Sequence, residues 1–345
     1  MSDSIRIFVS YSHEDQHLVE RLVSILSGQG ITPLWSNKLS VGETFDEELK
    51  RFIEHAHIFM PILTESALQR GWVQQEIGYA LGLRIPIFPV TINHVNPGGM
   101  LQKNHAIKLE DDNLKLQQQL NLDHFKSLLK RNDQPALYQK ALRPEMRASM
   151  MKNYADNVSN LGHYGVVRQK GGLSSFHIPV HDILHPIWNE RYIPEKRSEY
   201  HKELQRNERL ALQEHADKCP VRLLINPNYG IKSRDPISAK ARVSTLIEFL
   251  EQHEGEVCIA LITNPEEMDQ LTMVGDWFLA ESVSFRDGDG FTNTFFTRNA
   301  NEINKRVLSF EQELQMALER MNCNEGNSRI FMLNYLKETI KYCGK

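Results

Sequence analysis

The chain of 345 residues is long enough for two or three domains, and 41% hydrophobic content is ample for packed cores. Its 40 basic and 44 acidic residues leave a net charge of −4, which removes any bulk electrostatic reason to expect a nucleic-acid binder. Four cysteines (Cys219, Cys258, Cys323, Cys343) without a CxxC spacing argue against a disulfide framework or a zinc site. No apolar run approaches the ~20 residues that span a bilayer. The polar start Met1-Ser2-Asp3-Ser4 runs straight into a strand pattern, unlike a signal peptide, so the expectation is a soluble, cytoplasmic protein.

In chain order, Ile5 to Ser10 is a short β-branched run that reads as a first strand. Tyr11-Ser12-His13-Glu14-Asp15 follows as a polar cluster able to cap a helix in which Leu18, Leu22, Val23 and Leu26 recur at helical spacing. Gly28 and Gly30 end that helix, and Ile31 to Trp35 is a second strand candidate with Pro33 suggesting an edge. A loop from Ser36 to Thr44 precedes a second helix marked by Phe45, Leu49, Phe52 and Ile53. Ile58 to Leu63 reads as a buried third strand, and Trp72 to Leu83 as a helix opening just after it. Ile85 to Ile92 and Ala106 to Leu109 complete five strands, and Asp111 to Arg131 is helical. Strands alternating with helices predict an α/β fold with a flavodoxin-like, doubly wound parallel sheet, which binds ligands outside the carboxyl ends of its strands.

The segment from 133 to 218 reads as a mainly helical connecting region. A helical stretch runs from Tyr138 to Leu161, interrupted early by Pro144, and another charged one from Tyr192 to Lys218. Between them Gly162 to Gly172 is basic and glycine-rich; it could cradle a phosphate or a nucleic-acid backbone, but a surface turn is the simpler reading. His177, His181 and His185 stand four apart, yet Pro179 and Pro186 break any shared helix, so no metal site is assigned. From 219 onward the pattern predicts a second α/β domain. Its strands are Val221 to Asn228, Val257 to Ile262, Trp277 to Ser284 and Gly290 to Phe296, with helices at Ala239 to His253, Asn301 to Arg320 and Ser328 to Tyr342. The turn Asp287-Gly288-Asp289-Gly290 resembles a calcium loop but lacks the closing glutamate.

Trp72 and Glu76 are four apart, hence one turn from each other on one helix face. An indole beside a carboxylate at the carboxyl end of a strand can hold a flat cationic ring and a ribose; a core tryptophan and a solvated acid favoured by the helix dipole is the alternative. The neighbouring residues favour the first. Phe8-Val9-Ser10-Tyr11-Ser12 resembles the first box of Toll/interleukin-1 receptor (TIR) domains, Lys38-Leu39-Ser40-Val41-Gly42 their mobile loop, and Pro61 to Ser66 with Trp72 and Glu76 their third strand and catalytic helix. The resemblance covers residues 1 to about 132.

That resemblance implies an NAD+ glycohydrolase with Glu76 as its catalytic carboxylate and NAD+ as substrate rather than cofactor, no cofactor being expected. It implies substrate contacts from Ser10, Tyr11 and Ser12 on the floor, and from Trp35, Gly42, Phe45 and Trp72 around them. Phe45 falls one residue late for the family's loop aromatic, and the aspartate often found after the second strand is replaced around Trp35-Ser36. It also implies self-association through the TIR domains and, with an accessory domain attached, a prokaryotic anti-phage effector answering to a trigger sensed by residues 133–345. A non-enzymatic scaffold signalling by assembly, or a cyclase making a cyclic ADP-ribose signal, are the alternatives. Residues 219–345 are similar to phospholipase-D-like domains but carry no His-x-Lys pair around Trp277-Phe278-Leu279-Ala280, which implies a catalytically silent sensor or oligomerisation module.

Overall fold

Two sheets organise the molecule, one in each of two units, Met1–Leu137 and Tyr138–Lys345. The structure, a computed structural model, describes residues 5–35, 47–69, 71–92, 95, 101, 106–108, 116, 118–131, 137–171, 195–227, 236–262, 264, 270–284 and 291–341. Among these, no helix is long and apolar enough to cross a membrane, and no group of three or more His, Cys, Asp or Glu is placed to hold a metal ion. Gly42, Phe45, the three spaced histidines and the Asp287–Gly290 turn lie outside the described residues.

The first unit holds β1 (Arg6–Ser10), α1 (Gln16–Gly28), β2 (Thr32–Leu34), α2 (Glu47–His55), β3 (Ile58–Leu63), α3 (Glu65–Gln69), α4 (Gly71–Gly82), β4 (Val90–Thr91), β5 (Ile107–Lys108) and α5 (Leu122–Arg131). All five strands are parallel in the order β2-β1-β3-β4-β5, the flavodoxin-like order expected. Alternation in β1 divides its side chains between two faces. Ile7 and Val9 join Val19, Leu22 and Leu26 of α1 and Phe125 of α5 in one apolar cluster, while Phe8 meets Phe52 of α2 at 6.0 Å on the other. The fourth strand is shorter than its apolar run. Pro86 and Pro89 have no N–H to give a ladder, so only an isolated bridge at Ile87 and the pair Val90–Thr91 remain. Asn121 accepts a hydrogen bond from the His124 N–H at 2.8 Å and starts α5, dividing the helix expected from Asp111.

The second unit holds β6 (Gln139–Ala141), α6 (Pro144–Asn160), β7 (Val167–Gly171), α7 (Glu195–Ala216), β8 (Val221–Ile225), α8 (Pro236–Gln252), β9 (Val257–Leu261), β10 (Gln270–Val274), β11 (Phe278–Ser284), β12 (Phe291–Thr297), α9 (Ala300–Arg320) and α10 (Glu325–Thr339). Its seven strands run in the order β6-β12-β11-β10-β7-β8-β9, with β7, β8 and β9 mutually parallel and the rest antiparallel. The second α/β sheet is as expected, but it begins earlier than residue 219. The segment read as a connector supplies β6, β7, α6 and α7, and the basic glycine-rich stretch read as a surface turn supplies β7, a central strand. Pro144 opens α6 at its first position rather than interrupting a helix, because no intrahelical N–H is needed there.

On one face of this sheet Leu224, Ala260, Met273 and Leu279 pack against Ile303, Phe310 and Leu314 of α9. The central strand breaks that apolar face with charge. Arg168 Nε donates to Glu311 Oε1 at 2.6 Å, Arg222 donates to Glu311 Oε2 at 2.7 Å and to Glu325 Oε2 at 3.1 Å, and Lys170 donates to Glu313 Oε2 at 2.8 Å. Helix ends are also closed by side chains. Asn324 and Asn327 form a reciprocal cap at the start of α10, and Arg329 donates to the carbonyls of Leu250 in the last turn of α8 and of His253 and Gly255 just beyond it. The lead-in to β7 passes so close to the β10–β11 turn that a Cβ on Gly165 would stand 2.6 Å from the backbone nitrogen of Gly275.

Candidate active site

The site lies where β1 and β3 end and α4 begins. Val73, Ile77 and Ala80 form the buried stripe of α4, spaced four and then three apart, and Glu76 falls inside that stripe. Its carboxyl is consequently 7% exposed rather than solvated. It sits in the second turn of α4, separated from β3 by the short helix α3. Tyr79 fixes the helix from outside, its hydroxyl donating to Glu54 Oε1 of α2 at 2.6 Å.

Burial pushes the Glu76 carboxyl up to about 7, against an ordinary value of 4.5. The Ser10 hydroxyl opposes this by favouring the ionised form. That interaction falls short of ordinary hydrogen-bond geometry: Ser10 Oγ and Glu76 Oε2 both lack a hydrogen-bond partner among the described residues, and so does Ser12 Oγ. Ser10 is 2% and Ser12 0% exposed, so three buried polar atoms near one strand end wait unsatisfied. Such atoms suit a ligand rich in hydroxyls.

Four aromatic rings line the same region. Trp35, just past β2, lies 6.2 Å from Tyr11, Tyr11 lies 6.3 Å from His13, and His13 lies 5.6 Å from Trp72 in an edge-on arrangement. Burial, with help from Glu20, raises the Tyr11 hydroxyl above its usual range, so it remains protonated. The structure thus brings Ser10 to Glu76, Tyr11 to Trp35, and Trp72 onto the same helix as Glu76.

Two features escape sequence reasoning. His13 reads as part of a capping cluster, yet it joins the ring chain. Asp15 stands at the N-cap position of α1 but makes no side-chain cap; its carboxylate instead accepts from Thr64 Oγ1 at 2.8 Å, tying the β1 loop to the β3 loop. The signal available in sequence was only that both residues sit in polar loops at strand carboxyl ends.

No curated protein matches the chain. Among solved structures, the TIR domains in the activated Roq1 resistosome directly recognizing the pathogen effector XopQ are 19% identical, with 37% of this chain and 96% of that one covered and a TM-score of 0.24. The sequence model described as "TIR domain" matches residues 7–122. That match falls on the segment that carries the parallel 2-1-3-4-5 strand order, so residues 7–122 are similar to TIR domains in sequence.

Proposed function

We propose that the first unit is an NAD+ glycohydrolase in which Glu76 stabilises the transition state. The observation that carries this reading is the buried, unsatisfied carboxylate of Glu76 on one helix face with Trp72, beside the unsatisfied hydroxyl of Ser10. In the reaction the bond between ribose C1′ and the pyridinium nitrogen breaks heterolytically, and its electron pair stays on nitrogen. Nicotinamide leaves as a neutral molecule, so no general acid is required. Positive charge develops on the ribose ring, where an ionised Glu76 bonded to the ribose hydroxyls stabilises it. Water then adds to C1′ and releases a proton. Trp72 offers a face for the nicotinamide, and Ser10 and Ser12 offer acceptors and donors for the ribose.

Binding a cationic ring beside Glu76 favours the ionised carboxyl, offsetting the effect of burial. We read self-association of the TIR units as the step that completes the pocket, and the second unit as a controlling module without chemistry of its own in an anti-phage effector. Support for the silent reading is that Trp277, Phe278, Leu279 and Ala280, where the phospholipase-D-like pair would stand, are buried core residues.

Purified protein incubated with NAD+ should release nicotinamide, and chromatography of the second product separates ADP-ribose from a cyclised form. Glu76→Gln should lower turnover ~10²–10³-fold. A folded Glu76→Gln protein with the wild-type rate would overturn the assignment.

A further inference from the structure

We propose that His13 is the positioning residue for Trp72, holding the indole in the orientation from which it meets a planar ligand. The inference deepens the reading of the site given above and rests on it only for its kinetic consequence.

His13 occupies a turn that is pinned on both sides. Ser12 before it is fully buried, and the Asp15 N–H donates to the Ser12 carbonyl at 2.7 Å. The Asp15 carboxylate accepts from Thr64 Oγ1 at 2.8 Å, and Thr64 Oγ1 in turn accepts from the Ala67 N–H at 3.1 Å at the start of α3. The His13 backbone is therefore fixed relative to the loop that leads from β3 into α3, the short helix that precedes α4. Among the described residues its exposed ring meets the rings of Tyr11 at 74° and Trp72 at 63°, both edge-on.

Trp72 itself is half-buried in the first turn of α4. An indole there has two rotatable bonds about which it can swing. The imidazole standing against it blocks that swing and adds the edge-to-face attraction that aromatic pairs prefer. The role asks for a flat ring at position 13, not for a proton. Phenylalanine should serve and alanine should not.

The readout is the near-ultraviolet circular dichroism band of Trp72, obtained as the wild-type spectrum minus that of Trp72→Phe, with the same subtraction made in each variant. In His13→Ala this band should fall by half or more, and in His13→Phe it should persist. Thr64→Val, which unpins the turn from a distance, should weaken it as well. With NAD+ as substrate, His13→Ala should raise KM about threefold to tenfold while kcat changes little, and His13→Phe should restore KM. An unchanged Trp72 band in folded His13→Ala overturns the proposal. So does a His13→Phe protein as impaired in KM as His13→Ala, which would point to proton transfer or a polar contact. If the wild-type protein cleaves no NAD+, the glycohydrolase reading fails, and the dichroism still decides the role of His13.

Discussion

Glu76 stands at a position of α4 that the buried stripe reserves for an apolar side chain. Its consequence for stability has a definite sign. Below pH about 4.5 the carboxyl is protonated whether the chain is folded or not. Between there and about 7 only the unfolded chain ionises, so stability falls as pH rises and the loss is complete above the folded value. Glu76→Gln should therefore raise the thermal midpoint at pH 8 by roughly 5–15 °C, corresponding to roughly 2–3 kcal/mol, and leave it nearly unchanged at pH 4. Activity should run the other way. In the proposed glycohydrolase the ionised carboxyl is the working form, so kcat/KM should drop as pH falls below about 7. Calorimetry of the two proteins at the two pH values, with a pH–rate profile of the wild type, checks both. The place of this residue, one turn from Trp72 on the helix after β3, was legible from spacing. Its burial was legible only through the stripe of Val73, Ile77 and Ala80. The unsatisfied hydroxyls of Ser10 and Ser12 follow from packing, which local sequence does not encode.

At the scale of elements, the first sheet was legible in the alternation of apolar runs with helices, and the second only in part. All five strands of the first sheet were found in their chain order, β1 and β3 from their apolar runs and the short β2, β4 and β5 from apolar stretches longer than the strands themselves. β7 was missed because Arg168, Gln169 and Lys170 make it look like a surface segment. Its charges are compensated by Glu311 and Glu313 on a helix 143 residues further along, which no local window can see. β6 and β10 were missed as well, β6 being a three-residue edge strand. The glycine in the lead-in to β7 was visible but its reason was not. Gly165 is required by the crossing of two backbones: a methyl group there would meet Gly275 N at 2.6 Å and Gly275 Cα at 2.8 Å, neither of which can rotate away. Gly275 meanwhile holds φ +53 at the hairpin turn, a conformation glycine adopts without strain. Gly165→Ala should destabilise the second unit by about 1–3 kcal/mol, read as an earlier chemical unfolding midpoint, while NAD+ cleavage at low temperature persists. His215 gives the same unit an acid limit. Its Nε2 donates to the Ala155 carbonyl at 3.0 Å while Nδ1 faces the Gly165 N–H at 3.4 Å, so the buried neutral ring has no place for a second proton. Burial holds its pKa below the ordinary 6.5, and stability should decline as pH falls from that value.

For the whole molecule, the division into two units at Leu137 and Tyr138 makes a construction test possible. A fragment of residues 138–345 should unfold cooperatively and resist protease, since its sheet is complete within those limits. A fragment starting at 219 lacks β7, leaving β8 and β10 with no strand between them, and should be cleaved rapidly. Equal protease resistance of the two fragments would contradict the sheet order. The pairing of β6 with β12 carries a further consequence for the order in which the protein comes into being. The strands of the first sheet are all synthesised by residue 108, whereas the second sheet cannot close until β12 at 291–297 has emerged. At a typical ~5–20 residues per second, the 143 residues between Arg168 and Glu311 take roughly seven to thirty seconds to be made. During that interval the nascent chain carries the first unit ahead of β6, whose partner strand β12 has yet to be made, and ahead of β7, which gains β8 and then β10 only as they emerge, so the ribosome-bound chain is most exposed to aggregation in its second half and not in the half that holds Glu76.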